Sequence, residues 1–393
     1  MIYIVFLLFL VFLSYHYDLR GNTKNKEFFY RIVLLVFILI AGLRYRLGID
    51  TPNYIKKFYY RTDYLWNLSF DDFSVGSDPL YMLLNSFVYS LGGRFYIVQL
   101  FHAIIVNTLI LNYAKKHSPY IFVFSVFYYL IFYYGAMDVM RASLSISICL
   151  YANDYLLNKS WIKGTLLYLM ACLFHVQTLV IVLTPILFSL RVNKKFVFIT
   201  LLCLILGFFL KKFIENNMTL LIGFDIISSK MDEYVNGEVE MFGNRLNLFG
   251  IVFYSIPVIY AFFSLIILKK HKQDNNLLKL EPLLLIGVAV FMISTNAFLV
   301  YRFVNYYYVY FLLFISHLFI YFSKSKDFCV DRVKIVKAML FFLPFFFYTV
   351  KNYLLYYKTY YPYSSVIDKE IDRDRERILQ YTYDRDSYNL NEY

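Results

Sequence analysis

Four stretches hold the side chains able to do chemistry in a chain otherwise dominated by apolar residues. The first is Arg44-Tyr45-Arg46-Leu47-Gly48-Ile49-Asp50-Thr51-Pro52-Asn53-Tyr54. Arg44 and Arg46 carry fixed positive charge, Asp50 is a candidate base, and Gly48 permits a tight turn. The second is Asp138-Val139-Met140-Arg141, followed by a run of small and hydroxyl residues suited to close helix packing. The third is His175 in Cys172-Leu173-Phe174-His175-Val176-Gln177-Thr178, whose neutral ring could accept a proton and whose charged form could pair with phosphate. The fourth is Tyr301-Arg302-Phe303, where Arg302 interrupts an apolar run. Each has a plain alternative. Arg44 and Arg46 could be arginines snorkelling from a helix end, and Asp138 and Arg141 an interfacial pair. His175 could be a satisfied structural residue, and Arg302 a charged turn.

The elements that must position these groups follow from composition. The chain has 393 residues, 60% hydrophobic and 17% charged, against roughly a quarter charged in soluble domains. Its mean hydropathy is +0.55. This excludes a soluble enzyme, and the continuous apolar runs argue against an outer-membrane barrel, whose strands alternate. Candidate spans are 2–17, 29–45, 95–114, 119–135, 138–157, 161–174, 175–190, 196–213, 248–268, 281–299, 303–323 and 334–351. Backbone in lipid must bond internally, so each is expected to be helical. The fold class is an all-α polytopic membrane protein of about 12 spans. The shorter piece 79–91 adds a re-entrant or interfacial helix, and 161–190 is expected to form two short helices meeting near His175. One membrane domain covers 1–351, with large polar stretches at 46–78 and 215–246 and a charged, Tyr-rich tail at 352–393.

The net charge of +12 suits basic connections between spans better than nucleic acid, so no nucleic-acid partner is expected. The connections 18–31, 115–118, 158–163, 191–195, 269–279 and 324–337 are rich in Lys and Arg and can all face the cytoplasm. The polar stretches and the four chemical stretches then face outward, with Lys211 and Lys212 against the rule. Tyr and Phe number 41 and 42; Phe suits spans, while Tyr suits interfaces and sugar-facing surfaces. The start of the chain reads as a retained span. Cys149, Cys172, Cys203 and Cys329 form no CxxC, so neither a disulfide framework nor a metal site is expected, and the pair Asp71-Asp72 is too weak to mark one. No Walker loop, HExxH, GxSxG or dinucleotide fingerprint is present. Guanidinium groups suit diphosphate, and aromatic rings suit sugar faces. Together Arg44, Arg46, Asp50, Arg141, His175 and Arg302 suggest an outward-facing pocket for an anionic, lipid-linked substrate.

These residues also carry a family resemblance. RYRLGIDTPNY (44–54) resembles the R-x-x-x-G-x-D-x-x-x-Y motif of the EpsG family of exopolysaccharide proteins, related to Wzy-type O-antigen and capsule polymerases. DPLYMLLNSFVYSLGG, MRASLSISICLYA, ACLFHVQTLVIV, LVYRFVNYY and YYPYSSV are similar to its later segments in the same order, with Ala142-Ser143 where the family has Gln-Gly. The resemblance implies a polymerase, a glycosyltransferase joining undecaprenyl-diphosphate-linked oligosaccharide repeat units at the outer face of the bacterial cytoplasmic membrane. It implies roles as well: Arg44, Arg141 and Arg302 at the leaving diphosphate, and Asp50 or His175 as general base. Tyr54 would orient donor or acceptor, and Arg46, Gln177, Tyr301 and Tyr363 would line the substrate site. Arginines supplying the positive charge would make a metal or other cofactor unnecessary. Such pathways commonly set chain length through a separate co-polymerase, the candidate protein partner. A lipid-linked glycan flippase would need charges lining a path on both sides. A polysaccharide O-acetyltransferase would need a His reachable from the cytoplasm. A structural subunit of a glycan-assembly complex would need neither.

Overall fold

A long apolar run can satisfy its own peptide groups only as a helix, and helices dominate this chain. The computed structural model describes residues 2–69, 78–222, 248–271, 274–296, 300–324 and 332–368. In order they form α1 (Ile2–Leu19), α2 (Lys26–Gly42), α3 (Thr51–Arg61), α4 (Pro79–Ser90), α5 (Phe95–His117), α6 (Ile121–Asp138), α7 (Met140–Leu157) and α8 (Trp161–Phe174). A 3-10 segment, Val176–Leu187, is followed by α9 (Lys194–Ile222), α10 (Leu248–His271), α11 (Glu281–Ser294), α12 (Tyr301–Ser323) and α13 (Arg332–Tyr360). Among the described residues every regular element is helical, with one isolated antiparallel bridge between Arg44 and Ser365.

The expected twelve spans are not what the structure supports. Among the described residues five helices are long and apolar enough to cross a membrane: α1, α5, α6, α10 and α12. Several of the other apolar runs give shorter helices. α8, the 3-10 segment and α11 are shorter apolar helices, and the 12 residues of α4 rise only about 18 Å against about 30 Å of hydrocarbon. α7 reaches 18 residues but carries Arg141, Asn153 and Asp154, and it lies mostly buried. A helix enclosed by protein need not be apolar all round, so counting apolar runs overstates the crossings. Between α8 and the 3-10 segment the backbone of His175 is extended (φ −157°, ψ 108°), giving two short helices on either side of it.

Tyrosine has a larger role inside than its amphipathic character suggests. Tyr128, Tyr129 and Tyr133 of α6 are buried. Their hydroxyls donate to Asn107 Oδ1 (3.1 Å), the Tyr3 carbonyl (3.0 Å) and the Phe37 carbonyl (2.7 Å). A phenol whose tip reaches a carbonyl brings a large ring into the core without an unpaired polar group.

The two ends of the helix bundle are chemically distinct. At one end Asp18, closing α1, accepts from Lys26 Nζ at 2.8 Å and from the Phe122 and Val123 amides at the start of α6. A carboxylate at a helix N-terminus meets both unpaired amides and the favourable end of the dipole. Lys115 pairs with Glu27, Lys116 and His117 with Asp154, Lys269 and Arg191 with Glu281, and His317 with Asp274. The Tyr120 and His317 rings, 5.0 Å apart, tie these groups together. The basic connections thus collect at one end; 325–331 of the sixth lie outside the described residues.

At the other end lie the α2–α3 loop, the start of α4, the α6–α7 junction and His175. α13 runs to Tyr360, so the expected boundary at 351/352 falls inside a helix. The chain then returns along the α2–α3 loop, with Tyr45 N donating to Ser364 O (2.9 Å), Gly48 N to Thr359 O (3.3 Å) and Val366 N to Leu43 O (2.8 Å). Most of the expected polar stretch 215–246, the tail from 369, Asp71-Asp72 and Cys329 lie outside the described residues.

Candidate active site

The centre of the site is Asp78, a buried carboxylate just before α4. Pro79 opens α4 at a position where a missing N–H costs nothing, which places Asp78 at the helix N-cap. Its side chain makes no cap bond and reaches to other elements instead. Arg141, in the first turn of α7, donates from Nη1 to Asp78 Oδ2. The Val176 amide donates to Asp78 Oδ1 at 3.0 Å, and His175 Nδ1 stands 3.5 Å from the same oxygen. Burial pushes the Asp78 carboxyl up, but the His175 ring, the Arg141 charge and the Val176 amide outweigh it. The carboxyl is held below its ordinary value and stays ionised.

This geometry overturns the local Asp138–Arg141 pair. Asp138 ends α6 and Arg141 begins α7, with Val139 breaking the helix between them (φ −88°, ψ 64°). The break sends the two side chains to different partners. Asp138 accepts the Ile49 amide at 2.7 Å, while Arg141 crosses to Asp78.

Arg141 is also shared with α3. Its guanidinium carbon lies 5.8 Å from the Tyr54 ring centre, and the Tyr54 ring meets that of Tyr81 edge-on at 5.7 Å. Burial raises the Tyr54 hydroxyl above its ordinary value, against the Arg141 charge. Arg141 Nε is buried with no hydrogen-bond partner. An unused buried donor costs about 1–3 kcal/mol, so it marks a place where an anionic group would be favoured.

Asp50 sits at the start of α3 without capping it. Burial raises its carboxyl, and the charges of Arg141, Arg302 and Lys57 offset this only in part. Arg302, at the start of α12, is exposed and lies close enough to Asp50 to act on it. Five expected residues are thus linked to Asp78: Arg141 and His175 directly, Tyr54 and Asp50 through Arg141, and Arg302 through its charge on Asp50.

The others lie elsewhere. Arg44 is fully buried, and its guanidinium donates to the carbonyls of Ala41, Leu47 and Met137. Three donors spent on backbone make it a brace for the α2–α3 loop rather than a phosphate ligand. Arg46 has positive φ (51°) and lies 5.2 Å from the centre of the Tyr45 ring. Gln177 is exposed on the 3-10 segment. The Tyr301 hydroxyl meets that of Tyr308 at 2.7 Å, and its ring packs on Tyr254. Tyr363 packs edge-on against Tyr3 at 5.6 Å, and burial pushes its hydroxyl up to about 12.

Asp78 is the functional candidate that residue types alone passed over. An Asp-Pro step before a short helix reads as a cap, and its ligands come from positions 141, 175 and 176. The one signal in the sequence was its place at the head of the family-like segment DPLYMLLNSFVYSLGG.

A family model, described as the EpsG family, matches residues 27–365. The match closes at Ser365, the residue bridged to Arg44. No curated protein and no solved structure matches the chain.

Proposed function

The chain belongs to the EpsG family, and on that premise we propose that it is a polysaccharide polymerase of the cytoplasmic membrane, taking a polyprenyl-diphosphate-linked glycan as donor. The observation that carries this reading is the convergence of Asp78, Arg141 and His175 from three separated segments, with Asp50 and Tyr54 beside them. The site faces outward, opposite the basic end, because Lys and Arg favour the cytoplasmic side.

In the reaction a hydroxyl oxygen of the acceptor sugar attacks the anomeric carbon of the donor glycan. The bond from that carbon to the lipid diphosphate breaks, and the hydroxyl proton passes to a base. Arg141 and Arg302 stabilise the charge that develops on the leaving diphosphate. Asp50 is placed to take the proton, since its raised carboxyl makes it a better base than an ordinary aspartate. Asp78 holds Arg141 and orients His175, which leaves the far ring nitrogen of His175 for substrate. Tyr54 offers an aromatic face and a hydroxyl to a sugar.

The test is the glycan ladder of a strain deleted for this gene and complemented with wild type, Arg141→Ala, Asp78→Ala or His175→Ala, with protein level followed by blot. Collapse of the ladder to a single lipid-linked repeat unit, restored by wild type and not by Arg141→Ala, supports the reading. An unchanged ladder in the deletion removes it.

A further inference from the structure

The loop that delivers Asp50 is held from outside the cluster. Asp138 is buried, and its Oδ1 accepts the Ile49 amide at 2.7 Å, one residue before Asp50. Gly48 makes this approach with φ +111°, and a Cβ there would stand 2.4 Å from Asp138 Oδ1 and 2.9 Å from the Tyr360 hydroxyl. That hydroxyl lies between the Tyr134 carbonyl, at 3.1 Å, and the Asp138 carboxylate. Gly48 N donates to Thr359 O, while Tyr45 N and Val366 N bond to Ser364 O and Leu43 O. Thr51 Oγ1 donates to Leu47 O at 2.8 Å, closing the turn on the α3 side.

We propose that Asp138, with the strap 359–366, is a positioning residue for Asp50: it clamps the Gly48–Ile49 backbone and thereby sets where the Asp50 carboxylate stands relative to Arg141. This rests on the polymerase reading for its catalytic consequence but not for the clamp. A buried carboxylate at the end of α6 is costly unless committed, and here it is committed to a backbone amide of the loop. The charged and titratable groups around Asp50 are Lys57 and Tyr54 of α3, Arg141 of α7, Arg302 of α12 and Asp138 of α6.

The experiment uses the full chain in lipid nanodiscs. Amide hydrogen exchange over 44–54 is compared in wild type, Asp138→Asn, Asp138→Ala and Gly48→Ala, with exchange over α1 and α5 as the check that each variant folds. Turnover of lipid-linked repeat units is followed in parallel. Asp138→Ala and Gly48→Ala lose protection at Gly48 and Ile49, and kcat falls on the order of 10²-fold with KM little changed, the cost of about 1 Å of misplacement. Asp138→Asn still accepts the Ile49 amide, so protection and most of kcat return. A loss of kcat at steady KM that the isosteric amide reverses marks positioning; a general loss of fold would lower the folded fraction instead, with exchange rising over α1 and α5 as well. Unchanged protection in Asp138→Ala overturns the clamp, and full kcat in an Asp138→Ala chain that has lost that protection overturns the link to Asp50. Loss of the polymerase reading shows separately, as a ladder that survives gene deletion.

Discussion

The two ends of this helix bundle handle charge in opposite ways. At the basic end the carboxylates among the described residues are spent on nearby cations: Asp18 on Lys26, Glu27 on Lys115, Asp154 on Lys116, Glu281 on Lys269. At the other end charge is gathered. Asp78 is shared between Arg141 and His175, and Asp50 takes part in no hydrogen bond of its side chain among the described residues, resting in the field of Arg141, Arg302 and Lys57. Dispersed pairs staple adjacent helix ends. A gathered set leaves positive charge unspent, as in the buried Nε of Arg141, and only that arrangement can serve a substrate.

The comparison breaks if the first end proves catalytic or the second merely structural. The largest effect expected is at the basic end: Asp18→Ala leaves the buried Phe122 and Val123 amides unpaired, at about 1–3 kcal/mol each, and leaves the Lys26 ammonium only the Pro119 carbonyl. Thermal unfolding in nanodiscs measures it, and activity per folded molecule stays near wild type. Next is Arg141→Lys, which keeps a cation beside the buried Asp78 but loses the guanidinium, expected to lower turnover about 10²-fold while the unfolding temperature moves little. If both variants lose stability and activity in proportion, the division between the ends is false.

A third test sharpens the active end. Asp50 acts as a base only when ionised, and its raised carboxyl places the acid limb of kcat above the ordinary carboxylate range. As pH falls through that limb turnover is lost, while Asp78, held low, stays ionised to more acidic pH. Asp50→Asn removes the limb together with most of the rate. The smallest effect expected is Glu27→Ala, which breaks an exposed pair with Lys115 and costs about 0.2–1 kcal/mol. A cost well above that would mean that the exposed pairs of the basic end do more than staple helices.

Much of the site was legible in residue types. An arginine at 141, a histidine at 175 and an aspartate at 50 are conspicuous because charge is rare among apolar runs. The break at His175 was legible too, since thirty residues is long for a single membrane-crossing helix. Two other readings, the alternative that paired Asp138 with Arg141 and the expected place of Arg44 at the diphosphate, did not hold, for one reason. Pairing Asp138 with Arg141 assumed a continuous helix, whereas Val139 breaks it. Giving Arg44 to the diphosphate assumed that a charge at a helix end faces water, whereas the returning strap buries it among carbonyls.

Sequence by itself determined the helical, membrane-compatible character of this protein, because peptide groups in apolar runs have no partners but each other. It determined the basic end as well, since Lys and Arg recur in short connections that share a side. Tertiary structure alone decided which charges meet. Asp78 with Arg141 and His175, and Asp138 with Ile49, join residues some 60 to 100 positions apart. Nothing local encodes such pairs: they exist because helix packing puts those backbone positions side by side, and burial there makes an uncommitted charge too costly to keep.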